Sequence, residues 1–407
     1  MIEQKGVNVP MIRTSMKVLA LSLFVLTGCE QSSGTTSGAA TSDRAATTQS
    51  TAPVTTAAPA TAKPTTEGSG KLNEAPSKAA MSLITAVRLA DAKSGWIGGK
   101  GWIARTDDSG SKWQVQYEGA GEVKQLFALN AQEAWAAMGE EGKLLHTKNG
   151  GKNWSSVGKV PNSAFFHFVT QQEAFSGNAR TVDGGVKWSS LPVPEGITGD
   201  AYFHDKDNGW VVKQVKDVLE VERTQDGGKT WHTVLSRKSA APLNGVVIRS
   251  AGANDAWIEL IGDSGMTQTS YSLFHTKDGG KNWQTVLANS TAGGGPAPGF
   301  PLGDTGGPKN TGTKPGPLYV VSPDVAFMGG QCPSCDKPNT VGWTKDGGKT
   351  WVNGKEAFSG YGPLQLAMAD ANGGWLITND NEQPSVMYTT GNGGVNWKKA
   401  HTFDAPK

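Results

Sequence analysis

Short apolar runs recur along residues 81–401, and each is followed by a few turn-forming residues and then by an aromatic residue. Examples are "KQLFAL" before "NAQEAW" and "PLQLAMA" before "DANGGW". No helical periodicity competes with this spacing, so the pattern predicts short β-strands throughout. The seven aromatic positions are Trp96, Trp135, Phe175, Trp210, Trp257, Phe327 and Trp375.

A second signal follows each aromatic position. It is the box Thr-x-(Asp/Asn)-(Gly/Ser)-Gly-x-x-Trp, which ends at Trp113, Trp154, Trp188, Trp231, Trp283, Trp351 and Trp397. The acidic or amide residue of each box is Asp108, Asn149, Asp183, Asp226, Asp278, Asp346 or Asn392. Twelve of the fourteen tryptophans fall on these two repeated positions, so the repeat organises the aromatic packing.

Each repeat predicts four strands: the apolar run, a strand that opens on the aromatic residue, a strand that ends at the box threonine, and a strand that opens on the box tryptophan. Units of this length with four strands are typical of propeller blades, because radial repetition buries both faces of every sheet. We therefore expect an all-β fold, a seven-bladed β-propeller with four-stranded antiparallel blades, over residues 81–403.

The chemistry of the box favours a folding role over a catalytic one. In "TKDGGKNW", Asp278 can accept backbone N–H bonds within its own turn, Thr276 can add a hydroxyl bond, and the two glycines permit positive φ. Trp283 would supply packing surface between blades. Seven copies at seven angular positions cannot share one catalytic site, so the box is interpreted as structural.

The box resembles the Asp-box, or bacterial neuraminidase repeat, which lies between the third and fourth strands of propeller blades. Combined with the preceding "GW" motif over residues 81–401, it is similar to the family of secreted propellers related to the photosystem II stability and assembly factor. That resemblance implies binding of a partner protein without catalysis.

Sialidases share the box and provide the enzyme alternative, a glycoside hydrolase. Their chemistry needs three arginines on a substrate carboxylate, a tyrosine nucleophile and carboxylic groups. Arg105, Arg180 and Arg223 precede box threonines and are expected at the rim, which leaves Arg88, Arg237 and Arg249 inside the domain. The segment that opens sialidases is absent, and seven boxes exceed their six-bladed plan.

The innermost strands carry the non-repeating residues. Eight positions before each repeat aromatic stand Arg88, Phe127, His167, Tyr202, Arg249, Tyr319 and Ala367, whereas the preceding register is uniformly apolar. Arg88, His167, Tyr202, Arg249 and Tyr319 are therefore candidate ligand-binding residues in a ring at one mouth of the channel. They would suit an anionic or carbohydrate-like group or an acidic partner segment. The alternative is ordinary variation on half-exposed strands.

Cys332 and Cys335 form a C-x-x-C in the sixth repeat. In an exported protein such a pair favours a local disulfide. A zinc site would need two more ligands, and a redox site would be expected at a helix N-terminus. The sequence leaves these alternatives open.

The first residues describe an exported lipoprotein. Lys17 precedes the apolar run 18–26, which is too short to span a bilayer, and residues 1–28 are interpreted as a signal peptide, for which Met16 is a more usual start than Met1. Leu26-Thr27-Gly28-Cys29 resembles a lipobox, which implies diacylation of Cys29; an ordinary signal peptide with a chance cysteine is the alternative. Residues 30–80, rich in Ser, Thr, Ala and Pro, predict a disordered tether.

The formal net charge of +2 and the lack of a basic run argue against nucleic acid binding. No catalytic set, metal site or cofactor motif can be assembled. The Gly/Pro-rich stretch 284–317 predicts a mobile loop. We expect a monomeric, non-catalytic lipoprotein on the extracytoplasmic face of a bacterial membrane, which binds an envelope protein or a glycan.

Overall fold

The computed structural model describes residues 79–139, 141–304 and 306–406, all of which belong to one compact unit. The predicted signal peptide, Cys29 and nearly all of the predicted tether lie outside these ranges. The described chain forms twenty-six β-strands and no helix, so no helix in it could cross a membrane. This confirms the all-β prediction.

The strands follow one another without interruption by other elements. They are β1 (Ala86–Leu89), β2 (Gly95–Thr106), β3 (Gln114–Ala128), β4 (Ala134–Met138), β5 (Lys143–Thr147), β6 (Ser155–Lys159), β7 (Phe166–Phe168), β8 (Ala174–Ser176), β9 (Ala179–Thr181), β10 (Ser189–Ser190), β11 (Tyr202–Phe203), β12 (Gly209–Val215) and β13 (Val218–Thr224). They continue with β14 (His232–Lys238), β15 (Gly245–Arg249), β16 (Ala256–Ser264), β17 (Thr269–Thr276), β18 (Gln284–Asn289), β19 (Lys314–Val320), β20 (Ala326–Gln331), β21 (Asn339–Thr344), β22 (Val352–Asn353), β23 (Leu364–Met368), β24 (Gly374–Thr378), β25 (Val386–Thr390) and β26 (Lys398–Thr402).

Hydrogen bonding joins these strands into six antiparallel sheets. Five sheets have four strands and contain one box each, whereas the first has the six strands β1 to β6 and contains two boxes. In that sheet β3 pairs with β2 through residues 114–122 and with β4 through residues 123–128. The single long strand therefore supplies the last strand of one blade and the first strand of the next.

The residue range of β2 also covers two strands of the first blade, joined by a tight turn. Trp96 and Arg105 would lie roughly 30 Å apart along a straight strand. Instead, the guanidinium carbon of Arg105 lies 4.5 Å from the centre of the Trp96 ring. The chain therefore reverses between them, near Gly101, whose φ of 85° suits a tight turn. The first sheet thus comprises two blades, and the protein is a propeller of seven four-stranded blades.

The ring closes between the first blade and the last. β23 contacts β1 directly. The segment before β1 is tied to the seventh blade by paired amide bonds: Ile84 N donates to Asn379 Oδ1 at 2.9 Å, and Asn379 Nδ2 donates to Ile84 O at 2.8 Å. Ser385 Oγ donates to Ser82 O at 2.6 Å. Because each blade is formed by one continuous segment of chain, these polar contacts between the first and last blades help to close the ring.

The repeat aromatics form the core between blades. Trp96, Trp135, Trp210, Trp257 and Trp375 are fully buried, and Phe175 and Phe327 occupy the same position in the other two blades. Burial of each such ring stabilises the fold by about 1.5–3 kcal/mol. The box tryptophans pack between adjacent blades, as predicted. Trp283 meets Trp210 of the preceding blade edge-on at 6.1 Å, and its Nε1 donates to Val234 O at 3.0 Å.

All seven boxes share one hydrogen-bond network. In the fifth blade, Thr276 Oγ1 donates to Asp278 Oδ1 and accepts from Gly280 N, both at 2.9 Å, and Asp278 Oδ1 accepts from Asn282 N at 2.9 Å. The bonds from Asn282 lower the pKa of Asp278 to about 2. Asn149 and Asn392 form the same bonds through their amide oxygens.

The residue before the box threonine adds a contact that the sequence did not predict. It lies between blades, and in three blades it donates a hydrogen bond to the first glycine carbonyl of the next box. These bonds are Arg105 to Gly150 O at 3.3 Å, Arg223 to Gly279 O at 3.2 Å, and His275 Nδ1 to Gly347 O at 2.9 Å. Arg105 and Arg223 are therefore buried side chains that link adjacent blades through hydrogen bonds.

The Gly/Pro-rich stretch 284–317 begins and ends in strands. Residues 284–289 and 314–317 belong to β18 and β19, and residues between them pack against the fourth and fifth blades. Ala297 and Phe300 are buried in the core cluster of those blades, and Ala240 N donates to Phe300 O at 2.9 Å. Apolar contacts thus attach part of this stretch to the two blades.

Candidate functional site

A cavity of about 350 Å³ opens at the centre of the ring, where the innermost strands end. We call it the central mouth. All seven blades contribute to its wall. Its lining comprises Val87, Arg88, Leu126, Phe127, Phe165, His167, Tyr202, His204, Arg249, Ser250, Leu318, Tyr319, Val320, Gln365 and Leu366.

Strand register explains why residues eight positions before the repeat aromatics converge there. In each blade that residue is the cross-strand partner of the aromatic residue, as in Arg88 with Trp96 and Arg249 with Trp257. Partners in antiparallel strands project to the same side. A constant hairpin register therefore places one such residue from each blade at the same height. The remaining pairs are Phe127 with Trp135, His167 with Phe175, Tyr202 with Trp210, Tyr319 with Phe327, and Ala367 with Trp375.

The five ring residues predicted from the sequence all line the central mouth, and Phe127 joins them. Ala367 does not, and the seventh blade contributes Gln365 and Leu366 instead. The apolar register also reaches the wall, through Val87, Leu126, Leu318 and Leu366. The wall of the mouth is consequently more apolar than it would be if only the residues eight positions before the aromatics lined it.

Two arginine side chains dominate the charge of the mouth. The guanidinium carbon of Arg88 lies 4.6 Å from the ring centre of Phe127 and 5.8 Å from that of Tyr319. That of Arg249 lies 3.8 Å from the ring centre of Phe165. Neither forms an ion pair with a carboxylate of the described residues, and the described lining contains no Asp or Glu. Both charges are thus held against aromatic faces, a favourable arrangement for desolvated cations.

Burial sets the charge state of the surrounding groups. It lowers the pKa of Arg249 to about 10, so the guanidinium remains charged at neutral pH. It lowers the pKa of His167 to about 4 and raises that of Tyr202 to about 12. Both side chains are therefore neutral at pH 7, and the positive charge of the mouth comes from its arginines.

A buried carboxyl group lies behind this wall. Glu259 on β16 is 2% exposed and pairs across the sheet with Val247, two residues from Arg249. Burial raises the pKa of Glu259 to about 8, against the opposing effect of Arg249. The carboxyl group is consequently mostly protonated at neutral pH and does not pair with Arg249 as a carboxylate.

Hydrogen bonds fix the polar side of the mouth. His167 stacks on Tyr202 with ring centres 5.2 Å apart, and its Nε2 donates to His204 O at 3.3 Å. The Tyr202 hydroxyl donates to Ser250 O at 3.3 Å, and Ser250 Oγ lies 3.3 Å from His204 Nδ1. Because Ser250 Oγ also donates to Gly252 O at 2.7 Å, this serine is engaged in its own turn. These contacts hold the fourth-blade residues in place.

Phe165, His204, Ser250 and Gln365 were missed by the sequence prediction. They lie one or two residues from the ring position: His204 and Ser250 follow it, whereas Phe165 and Gln365 precede it. The signal that could have found them is proximity to the ring position on either side. A fixed count back from the aromatic residue excludes such neighbours.

The residues that the structure describes do not form the arrangement that a sialidase needs. Arg88 and Arg249 line the mouth, but Arg237 lies between Phe274 and Phe300, with its Nε donating to Gly299 O at 2.8 Å. The described mouth residues also offer no pair of carboxyl groups of the kind that glycoside hydrolysis uses. Among the described residues, no group of three or more His, Cys, Asp or Glu side chains is placed to hold a metal ion.

The two cysteines of the sixth blade lie away from the mouth. Cys332 and Cys335 are joined by a disulfide in the hairpin between β20 and β21. This hairpin follows Gln331, which pairs with Lys314 at the end of β19 remote from Tyr319. The disulfide and the central mouth therefore occupy opposite ends of the blade.

The family model described as "Photosynthesis system II assembly factor YCF48" matches residues 75–163 and 181–324, more than half of the chain. The chain belongs to this family. The family description names an assembly role and no reaction. None of the curated proteins matches this YCF48 family member.

Solved propellers resemble this YCF48 family member at low identity. "YCF48 bound to D1 peptide" is 15% identical, with 81% of this chain and 94% of that chain covered and a TM-score of 0.44. "YCF48 from Cyanidioschyzon merolae" is 16% identical, with 83% and 98% covered and a TM-score of 0.43. The SapL1 lectin in complex with alpha methyl fucoside is 11% identical, with 80% and 97% covered and a TM-score of 0.40.

Proposed function

We propose that this protein is a non-catalytic recognition protein of the bacterial cell envelope, whose central mouth binds an acidic segment of a partner protein. The observation that carries the proposal is the pair of guanidinium groups of Arg88 and Arg249, which face one cavity without a carboxylate of the described chain. An acidic side chain or a carboxylate terminus would supply the missing charge and can form bidentate bonds with arginine.

The walls favour a ligand that also carries apolar groups. Phe127, Phe165 and Tyr319 flank the two arginines, and leucines complete the wall. A cavity of about 350 Å³ is at the small end of the range for ligand sites, so it would admit a few side chains of a peptide. An acidic segment with aromatic or aliphatic neighbours fits this combination best.

The family supports a protein as the partner, because assembly factors act by binding the proteins that they help to assemble. One solved member of the family is bound to a D1 peptide. That peptide is the partner of the solved protein, and the proposal for this chain specifies only the chemistry of its partner.

Membrane attachment is the second part of the proposal. We infer it from the lipobox-like segment before Cys29 and from the Ser/Thr/Ala/Pro-rich composition of residues 30–80. A flexible chain of that length has an r.m.s. reach of about 40 Å, which would let the propeller sample partners above a membrane.

The binding proposal can be tested with a fluorescein-labelled peptide of alternating glutamate and phenylalanine. The double variant Arg88→Gln/Arg249→Gln should bind it at least about tenfold more weakly, because each charge-assisted hydrogen bond that is lost contributes about 1.5–3 kcal/mol. Arg237→Gln is the control, since it removes an arginine charge outside the mouth. Unchanged binding by the double variant, or equal binding of the glutamine version of the peptide, would contradict the proposal.

Attachment is tested separately by metabolic labelling with an alkyne fatty acid. The wild-type chain should carry the label and fractionate with membranes, and Cys29→Ser should lose both properties. Retention of the label by Cys29→Ser would overturn the assignment. A screen of glycoside substrates addresses the enzyme alternative, because hydrolysis that the double mouth variant abolishes would contradict a binding role alone.

A further inference from the structure

The proposed function leaves the disulfide of the sixth blade unexplained. Cys332 and Cys335 are three residues apart, with their Cα atoms 5.4 Å apart, at the tip of the hairpin between β20 and β21. We propose that this disulfide is a reversible redox site, which the folded protein exchanges with an external dithiol. The inference rests on three observations: the hairpin is closed without the disulfide, a sister hairpin has no such bond, and one of the two cysteines is exposed.

Main-chain hydrogen bonds already close this hairpin. Cys332 N donates to Pro338 O at 2.8 Å, and this bond closes the base of the hairpin. Cys335 N donates to Cys332 O at 2.9 Å, and this bond closes the turn. Next to the base, the fully buried Asn339 donates through Nδ2 to Gly360 O at 2.6 Å. None of these bonds involves sulfur, so all of them can persist when the disulfide is reduced.

The seventh blade provides an internal comparison. Its equivalent hairpin, residues 379–385, spans as many residues as 332–338 and contains no cysteine. It is closed by Ser385 Oγ, which donates to Asn379 Oδ1 at 2.8 Å, and by Glu382 N, which donates to Asp380 Oδ1 at 2.9 Å. A hairpin of this length in this fold therefore forms without a covalent link, and the disulfide is surplus to folding.

The two sulfurs differ in their surroundings. Cys335 is exposed, whereas Cys332 is half-buried and its Sγ lies 3.7 Å from Ser334 Oγ. A neighbouring hydroxyl can donate to a thiolate and stabilise it as a leaving group. Exposed disulfides are the ones that exchange readily with thiols. Cys335 is therefore the sulfur that an incoming thiolate attacks, and Cys332 is the sulfur that leaves.

The exchange balances with a dithiol as the only co-reactant. One thiolate of the dithiol attacks Cys335 Sγ, a new S–S bond forms, and the electron pair of the broken bond passes to Cys332, which takes up a proton. The second thiol of the partner then loses its proton and attacks the mixed disulfide, which releases Cys335 as a thiol. The protein gains two electrons and two protons, and the dithiol becomes a disulfide.

Reduction of the disulfide would also affect the contacts of Tyr361 on the same face. The Tyr361 hydroxyl donates to Cys335 O at 3.0 Å, and this tyrosine is 58% exposed in the connection between the sixth and seventh blades. A change in the turn at Cys335 would therefore alter an exposed aromatic side chain at the surface remote from the central mouth.

The first test treats the folded full-length chain with dithiothreitol and traps free thiols with a maleimide. Mass spectrometry of peptides distinguishes Cys332 and Cys335 from Cys29. Both should become labelled while the near-UV circular dichroism of the buried tryptophans stays unchanged. Labelling that appears only when this signal is lost would show that the disulfide is inaccessible in the fold and would overturn the proposal.

The second test uses serine variants. Cys332→Ser/Cys335→Ser should unfold within a few degrees of the wild-type Tm. A much larger decrease in Tm would show that the disulfide stabilises the fold and would contradict the proposal. The attacked sulfur is assigned in the wild-type chain. After brief exposure to glutathione and quenching with acid, peptide mass spectrometry should find the mixed disulfide mainly on Cys335. An equal share on both cysteines, or more on Cys332, would overturn that assignment.

Discussion

The rim boxes and the central mouth are built from the same blades, yet they use their polar groups in opposite ways. At the rim, seven boxes repeat one set of side chains and one set of hydrogen bonds. On the innermost strands, the seven register-matched positions hold arginine, phenylalanine, histidine, tyrosine and alanine, and all but the alanine line the mouth. Repetition therefore marks what each blade needs in order to fold, and its absence marks the place where the ring can be specific.

The two regions also differ in how their charges are satisfied. Asp278 in the fifth box receives backbone and side-chain hydrogen bonds that lower the pKa of its carboxyl group to about 2. Arg88 and Arg249 face a cavity without a carboxylate of the described residues. Changes at the rim should therefore affect the free energy of unfolding, whereas changes at the mouth should affect binding.

The largest effect on stability is expected from a box glycine that touches the neighbouring blade. Gly228 has a φ of 87°, and a Cβ atom there would overlap the carbonyl oxygen of Pro192. Gly228→Ala should lower the free energy of unfolding by about 3 kcal/mol or more, because both the backbone conformation and the contact become unfavourable. Urea denaturation measures this loss.

Gly295→Ala is the control for that variant. Gly295 has a φ of 74°, but nothing lies within 4 Å of the position of its Cβ. It should lose only about 1 kcal/mol, from the left-handed conformation alone. Equal losses for the two variants would show that close contact between blades adds nothing to the rim.

The next effect concerns the buried carboxyl group behind the mouth. The pKa of Glu259 is raised from its ordinary value to about 8 in the folded state, so its contribution to stability is complete below its ordinary pKa and is lost progressively as the pH rises from there to 8. The wild-type chain should be about 3–4 kcal/mol less stable at pH 8 than at pH 5 on this account. Glu259→Gln should not show this loss when urea denaturation is repeated at both pH values; an identical pH dependence in the variant would contradict the assignment.

A single box bond should have a smaller effect. Asp278→Ala removes the acceptor for Asn282 N and Thr276 Oγ1. We expect a loss of about 1–2 kcal/mol in the free energy of unfolding, measured by urea denaturation. Asn392, which forms the same bonds through its amide, indicates that Asp278→Asn should be nearly neutral. A large loss in Asp278→Asn would mean that the charge itself matters at the rim.

The smallest effect is a gain. Ser109 occupies the first glycine position of the first box and has a φ of 60°, where other boxes have glycine. Ser109→Gly should leave stability unchanged or raise it by about 0.5 kcal/mol, because relief of the left-handed strain is partly offset by chain entropy. A shift in thermal midpoint measures it, and a clear loss would show that the Ser109 hydroxyl matters more than its backbone.

Much of the architecture could be predicted because it is repeated. Seven boxes and seven aromatics predict seven blades, and the constant eight-residue offset predicts which inner residues converge, since it is the register of a hairpin. The remainder depends on contacts that occur once. The sequence did not indicate that Phe300 would be buried against the fifth blade or that Phe165 would lie beneath Arg249.

The most direct test of this division compares three proteins in one titration with the glutamate–phenylalanine peptide: the wild type, Arg88→Gln/Arg249→Gln and Asp278→Ala. The mouth variant should lose affinity by about tenfold or more while it keeps the stability of the wild type. The box variant should lose stability and keep its affinity under conditions where it is folded. Equal affinity of the mouth variant and the wild type, or a matching loss in the box variant, would contradict the assignment of recognition to the centre of the ring.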